Sequence, residues 1–336
     1  MKIGSINYAT EQGLGYLMKS FYDNHVVNNV AIIHHGSRPD RLDWYPPNTP
    51  RITRLHQPDQ IHILQEFCKQ QNIVLFFETP FIWELIPFCR EHGVKTVIMP
   101  MYECMPRQWL YQPDAILNPS LLDQQYYPRG TYIPVPVETT WKKRFIAETF
   151  IHNAGHGGLK GRNGTAELIT AMQYVQSNIK LIIRTQSRDI GPISSIDKRV
   201  TVVHATVPRG ELYDYGDVFV FPEKFNGLSL PLQEATASGM AVMTTARFPN
   251  TKHYPKIIPI NVTRYRQSCV SNRCVVFDEA IIDPRSIAAA IDDTYGKDIT
   301  THSVAGHEWY ANHMSWNVLH SRYMEFFECL LKTPQS

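Results

Sequence analysis

Short apolar runs alternate with amphipathic stretches along the chain. In the first half, Lys2–Tyr8, Val30–His34, Ile73–Phe77, Thr96–Met99 and Ala115–Leu117 have the composition of strands. Between them, Ile61–Gln71 and Phe81–His92 carry helical spacing, and the second closes on Gly93 as helix C-termini do. The prolines of Tyr132-Ile-Pro-Val-Pro-Val-Glu138 break the pattern, and the basic Lys142-Lys-Arg144 follows, which predicts a linker. The alternation then restarts. Strands are predicted at Thr149–His152, Lys180–Arg184, Val200–His204, Asp217–Phe221, Ala241–Thr244 and Ile257–Ile260, and helices at Thr165–Val175, Arg209–Tyr215 and Pro231–Ser238. A last helical pattern runs from Gly306 to Leu331.

Strands alternating with helices imply parallel βαβ units. Two such sets predict an α/β chain of two Rossmann-like, doubly wound parallel sheets facing a central cleft, with ligands at strand C-terminal ends. The expected division is a first domain over residues 1–144, a second over 145–315, and a C-terminal helix over 316–336 crossing back to the first. A length of 336 residues suits two domains of about 150 each.

Composition narrows the class. No apolar stretch nears the roughly 20 residues of a membrane span, and Met1–Leu17 reads as a strand and a glycine turn, so a cytoplasmic protein is expected. The region Tyr16–His25 holds one lysine and one aspartate, unlike a basic membrane-surface helix. Six cysteines without a C-x-x-C pair and fourteen histidines without ligand spacing predict neither a disulfide framework nor a metal site. A net charge of +2 permits an anionic partner without arguing for one.

The chemistry concentrates in Phe221-Pro-Glu-Lys-Phe-Asn-Gly-Leu-Ser-Leu-Pro-Leu-Gln-Glu-Ala-Thr-Ala-Ser-Gly-Met240. Pro231 suits the first turn of a helix and Gly239 its C-terminal cap. Asn226-Gly227-Leu228-Ser229 therefore lies between a strand end and a helix start, where free N–H groups and the helix dipole attract an anion such as a phosphate. Glu234, one turn inside, can accept hydrogen bonds from ribose hydroxyls. A plain strand–turn–helix, with Glu234 favouring the dipole, accounts for the same residues.

This stretch resembles the donor-site signature of retaining GT-B glycosyltransferases of family 4 through Pro222, Gly227, Leu230, Glu234, Ala235 and Gly239. The resemblance implies that Glu234 holds the nucleotide ribose of a nucleotide-diphosphate sugar, a UDP-sugar being favoured. The family's other glutamate, which contacts the transferred sugar, corresponds to Asn226, whose amide can bond a hydroxyl but supplies no charge. His152-Asn-Ala-Gly-His-Gly-Gly-Leu-Lys-Gly-Arg-Asn-Gly164 resembles the family's Gly-Arg…Lys-Gly segment, which implies that Lys160 and Arg162 neutralise the diphosphate, although Asn163 stands at the lysine position. The glycine loop with Gly13 and Gly15 is expected to face the phosphates, and Val207 the nucleobase. The donor set is then Gly13, Gly15, Lys160, Arg162, Val207, Asn226, Gly227, Leu228, Ser229 and Glu234. Asp114–Ser120, Tyr132–Val137 and Ser315-Trp316 match further family segments. No Asp-x-Asp triplet occurs, which fits a metal-independent enzyme without cofactor.

For the acceptor, Tyr102 and Glu103 follow a central strand, and Glu103 reads either as a general base or as a capping carboxylate. Glu78 ends another strand and is a second candidate. Arg38 and Arg41 lie in an irregular, aromatic-rich segment that reads as a solvated loop or as a phosphate-binding surface. Phe221–Leu228 also resembles bacteriophage-type glycosyltransferases, some of which glucosylate hydroxymethylated pyrimidines in DNA. A hydroxymethylated base is thus one expected acceptor, reached by base exposure. A glycan or protein hydroxyl is another, and a non-catalytic nucleotide-sugar-binding protein is the alternative of a different class.

Overall fold

A computed structural model of the chain describes residues 1–55, 57–190 and 197–334, without the side chain of Lys160. The chain forms two compact units. The first contains Met1–Val135, Cys269–Val275 and Trp316–Ser336, and the second Pro136–Ser268 and Val276–Ser315.

In the first unit, strands β1 (Ile3–Tyr8), β2 (Asn29–Ile33), β3 (Arg51–Ile52), β4 (Ile73–Glu78), β5 (Lys95–Pro100), β6 (Ala115–Asn118) and β7 (Thr131–Tyr132) form a parallel sheet in the order β3-β2-β1-β4-β5-β6-β7. Helices α1 (Gly13–Asp23), α2 (Pro58–Lys69), α3 (Leu85–Glu91) and α4 (Leu121–Tyr126) alternate with the strands. The second unit repeats the plan with β8 (Thr149–Gly155), β9 (Lys180–Thr185), β10 (Val200–His204), β11 (Val218–Phe221), β12 (Ala241–Thr245) and β13 (Ile257–Ile260), ordered β10-β9-β8-β11-β12-β13. In both sheets the order reverses between the first and fourth strands of the set, the place where doubly wound sheets bind ligands.

The apolar runs of the central strands exist because those strands are covered on both faces. On β11, Val218 and Val220 join one core with Leu168 of α5 (Thr165–Ala171). Phe219 and Phe221, pointing the other way, join Leu232 and Ala235 of α6 (Leu230–Ala237). The second unit continues through α7 (Asn250–His253), an antiparallel ribbon of β14 (Arg264–Ser268) and β15 (Phe277–Ile281), α8 (Pro284–Thr294) and α9 (Thr300–Trp309). The ribbon and α8 are absent from the sequence reading, although Asp283-Pro284 is a helix-start signal and Asp283 does cap α8.

Three helix expectations are corrected. Residues 306–331 are not one helix: α9 leads into a π-helical turn (Tyr310–Met314), Ser315 is extended, and α10 (Trp316–Lys332) begins afresh. The Met314 carbonyl there accepts from the Val137 N–H at 3.2 Å, and the Trp316 indole donates to Ser20 Oγ at 2.9 Å. Residues 209–215 make only a 3₁₀ turn at Arg209–Glu211. Arginines satisfy the carbonyls that follow the turn: Arg184 donates to Leu212, and Arg144 to Tyr213 at 2.7 Å. The helix begun at Thr165 stops at Ala171, and Arg199 caps the Met172 and Val175 carbonyls, each at 2.8 Å. Among the described residues, no helix is long and apolar enough to cross a membrane.

Candidate functional site

Two loops of the second unit leave the C-terminal ends of β8 and β11, the adjacent strands at which the order reverses. After β8, Gly155 and Gly158 have left-handed φ values of 57° and 51°, and Gly157 and Gly161 approach so closely that a Cβ on Gly157 would lie 2.9 Å from the Gly161 Cα. Gly164, with φ 73°, passes the Pro222 carbonyl so closely that a Cβ would come within 2.1 Å of its oxygen. The Lys224 N–H donates to the Arg162 carbonyl at 2.8 Å, and the Arg162 guanidinium lies 5.9 Å from the Phe225 ring centroid. Lys224 also pairs with Glu167 at 2.8 Å. The two segments singled out in the sequence thus form one joined surface. The side chain of Lys160 lies outside the described ones. Asn163 ties the glycine loop by donating to the Asn153 and Ala154 carbonyls at 3.3 and 3.1 Å.

Asn226, Leu228 and Ser229 are buried and Gly227 is half-buried. Ser229 is the N-terminal cap residue of α6, yet its hydroxyl makes no capping bond. Val207 is half-buried in the turn after β10.

Glu234 is 5% exposed, on a helix buried from Leu232 to Ala237. Its Oε1 accepts from Arg209 Nε and Nη2 at 2.9 and 2.5 Å, and its Oε2 from the Tyr213 hydroxyl at 2.8 Å. Oε2 keeps one lone-pair direction for a further donor. Burial opposes the Arg209 charge, but Glu234 outweighs it and holds the guanidinium above its ordinary range. Burial, then Glu234, pushes the Tyr213 phenol well up. Behind the glycine loop, His152 is fully buried, with Nδ1 on the Val220 carbonyl and Nε2 on Thr165 Oγ1, both at 2.8 Å. Burial lowers its pKa to about 4. It is a neutral core residue supporting the loop.

In the first unit, Gly13 and Gly15 form the first turn of α1, directly after β1. A Cβ on Gly15 would sit 2.1 Å from the Thr10 carbonyl oxygen, whereas Gly13 has open space. Glu78, the last residue of β4, has a left-handed φ of 66°. Glu103 is 1% exposed, close to the fully buried Asp123. Burial and the Glu103 charge raise the Asp123 pKa to about 8. This burial favours the structural reading of Glu103, since a base for an acceptor hydroxyl must be reachable. Tyr102 stacks on Tyr126 with centroids 3.5 Å apart. Arg41 is committed to Glu11 and Asp43 and lies over Trp44, while Arg38 is half-buried. The surface expected of Arg38 and Arg41 is therefore largely neutralised on the Arg41 side.

Sequence reasoning misses Arg209 and Tyr213 as partners of Glu234, because no local pattern links residues 25 and 21 positions apart. It also misses Glu223 and Arg247, an ion pair at 2.6 Å. Their pairing follows from the register Phe221↔Thr244, which brings the ends of β11 and β12 side by side and which no local pattern carries.

No family model matches the sequence, and no curated protein matches it. Among solved structures, the chain is similar to a sucrose-phosphate synthase from Thermosynechococcus elongatus (TM-score 0.64, 14% identity, 98% of this chain and 99% of that one). It is also similar to HepE from Anabaena in complex with UDP (TM-score 0.66, 10% identity, 98% and 100%). A third likeness is to the lipopolysaccharide outer core galactosyltransferase WaaB (TM-score 0.63, 12% identity, 98% and 99%). The likeness defines the fold class: the chain has the GT-B glycosyltransferase fold of two Rossmann-like α/β units.

Proposed function

We propose that the protein is a retaining glycosyltransferase of the family 4 type that moves a sugar from a UDP-sugar to an acceptor hydroxyl. The observation that carries this reading is the joined pair of loops at the order reversal of the second sheet: a glycine-rich backbone, the Arg162 cation, and the start of α6. Such a surface suits a diphosphate, because amide dipoles and a fixed cation stabilise the charge left when the glycosidic bond to phosphate breaks. The HepE structures with UDP and with UDP-glucose support the choice of nucleotide. Glu234 Oε2 would accept a ribose hydroxyl, with Val207 near the base. With no Asp-x-Asp in the sequence, Arg162, Lys160 and the α6 amides would serve the leaving diphosphate without a metal.

For the acceptor, we propose a 5-hydroxymethylpyrimidine of DNA, on the bacteriophage-type resemblance of Phe221–Leu228. The test combines UDP binding by calorimetry with transfer of labelled sugar from UDP- and GDP-sugars to hydroxymethylated DNA, unmodified DNA and simple glycans, with and without EDTA. Transfer that needs a UDP-sugar and survives EDTA is expected, with Glu234→Ala weakening UDP binding at least tenfold. Transfer only to glycans would remove the DNA acceptor. UDP binding without turnover on any acceptor would make this a nucleotide-sugar-binding protein, and no UDP binding would end the reading.

A further inference from the structure

The loops after β11 and β12 hold buried polar groups that the diphosphate and ribose contacts leave unused. Glu223 is fully buried and Arg247 is 5% exposed. Arg247 Nη2 donates to Glu223 Oε1 at 2.6 Å and to the Asn226 carbonyl at 2.9 Å, and Nη1 donates to the Phe248 carbonyl at 2.9 Å. Thr245 Oγ1 donates to the Glu223 carbonyl at 2.7 Å, fixing that residue to the end of β12. The second carboxylate oxygen of Glu223 accepts from Asn226 Nδ2 at 3.4 Å.

An amide beside an ion-paired carboxylate has one favourable orientation, with its NH₂ toward the carboxylate and its carbonyl away. Asn226 adopts it, and its Oδ1 is then buried with no hydrogen-bond partner in the protein, on a side chain 6% exposed. Ser229 Oγ and Arg247 Nε are likewise buried and unpartnered. Leaving several polar atoms of two adjoining loops unsatisfied is costly, and a polar ligand removes the cost. An acceptor, a donor and a hydroxyl together suit a polyhydroxylated molecule.

We infer that Glu223, held by Arg247, orients the Asn226 amide so that Oδ1 accepts a hydrogen bond from one hydroxyl of the transferred sugar. Glu223 and Arg247 are thus positioning residues for sugar choice. This inference rests on the nucleotide-sugar reading above and deepens it. An oriented amide dipole replaces a charge at this position, and its polarity is set by a carboxylate three residues earlier.

Calorimetry with the full chain, using UDP, UDP-glucose and UDP-glucose analogues deoxy or deoxyfluoro at each sugar hydroxyl, tests it. One deoxy analogue should bind about three- to tenfold more weakly than UDP-glucose. Its deoxyfluoro counterpart, unable to donate, should lose as much. Asn226→Ala should lose the same factor for UDP-glucose and nothing more for that analogue, with UDP affinity changed less than twofold. Glu223→Gln, checked for folding by its melting midpoint, should erase the preference for that hydroxyl, and Arg247→Lys should keep it. A fluoro analogue binding like UDP-glucose while the deoxy analogue is weak would overturn the inference, because the hydroxyl would then be accepting. So would a wild-type preference retained in Asn226→Ala or in folded Glu223→Gln. Should Glu223→Gln not fold, Asn226→Ala and the fluoro series decide. UDP binding with no preference for any hydroxyl sinks this inference alone, whereas no UDP binding sinks the nucleotide-sugar reading and this inference with it.

Discussion

Arg209 places two donors on one oxygen of Glu234, Nε at 2.9 Å and Nη2 at 2.5 Å, and so ties the turn after β10 to α6. The Arg209 and Glu234 side chains are 20% and 7% exposed, so removing either strands the other's charge. Arg209→Met should lose about 3 kcal/mol in urea denaturation. Adding Glu234→Gln should return at least half of that loss. Strictly additive losses would show that the pair is not coupled.

Gly13 and Gly15 sit in the same turn but differ in their surroundings. Gly15→Ala drives a methyl against the Thr10 carbonyl, 2.1 Å from its oxygen, and should cost about 1–3 kcal/mol. Gly13→Ala meets nothing within 4 Å and should be neutral or mildly stabilising. Equal effects of the two substitutions would contradict the close approach.

Glu78 ends β4 with a φ of 66°, a conformation that costs a side-chain-bearing residue roughly 1–2 kcal/mol. Replacement by glycine and by alanine removes the same interactions; glycine also relieves the strain, at a backbone-entropy cost of roughly 0.5–1 kcal/mol relative to alanine. Glu78→Gly should therefore melt higher than Glu78→Ala, by up to about 1 kcal/mol of stability, the reverse of the usual order in a strand. Circular-dichroism melts of the two variants decide it.

Two buried groups bend the pH dependence in opposite directions. His152 holds a pKa near 4 when folded, against about 6.5 unfolded. The unfolded chain therefore takes up the extra proton, and this contribution to stability is lost as pH falls from about 6.5 to 4. Asp123 is raised to about 8 when folded. The folded chain then holds the extra proton, and stability is lost as pH rises from about 4 to 8. Between about 6.5 and 8 the Asp123 effect stands alone. Asp123→Asn should therefore gain on the wild type there by up to about 1.4 kcal/mol per pH unit in urea titrations. A flat difference would refute the buried, protonated carboxyl.

Much of the architecture was readable from pattern. Strands such as β4 and β11 fall where apolar runs placed them, because strands covered on both faces need unbroken apolar residues. Periodicity alone does not show the break at Ser315: the helical spacing runs through it, and the carbonyl that ends the π-helical turn finds its partner in Val137, far away in the chain. The end of the turn at Arg209–Glu211 escaped for the same reason, since arginines from β9 and the linker take the Leu212 and Tyr213 carbonyls that follow it.

The sequence by itself determined the two sets of alternating strands and helices, the glycine-rich segment Gly155–Gly164, and the loop at Asn226–Ser229, because periodicity and turn chemistry are local. Tertiary structure alone decided that these two segments join at Arg162 and Phe225, that Glu234 is clasped by Arg209 and Tyr213, and that Glu223 and Arg247 turn the Asn226 amide. The first and last of those relationships depend on strand order and register, which place the ends of β8, β11 and β12 side by side, and the clasp on the turn after β10 reaching α6. A linear pattern carries no record of which strand ends are neighbours.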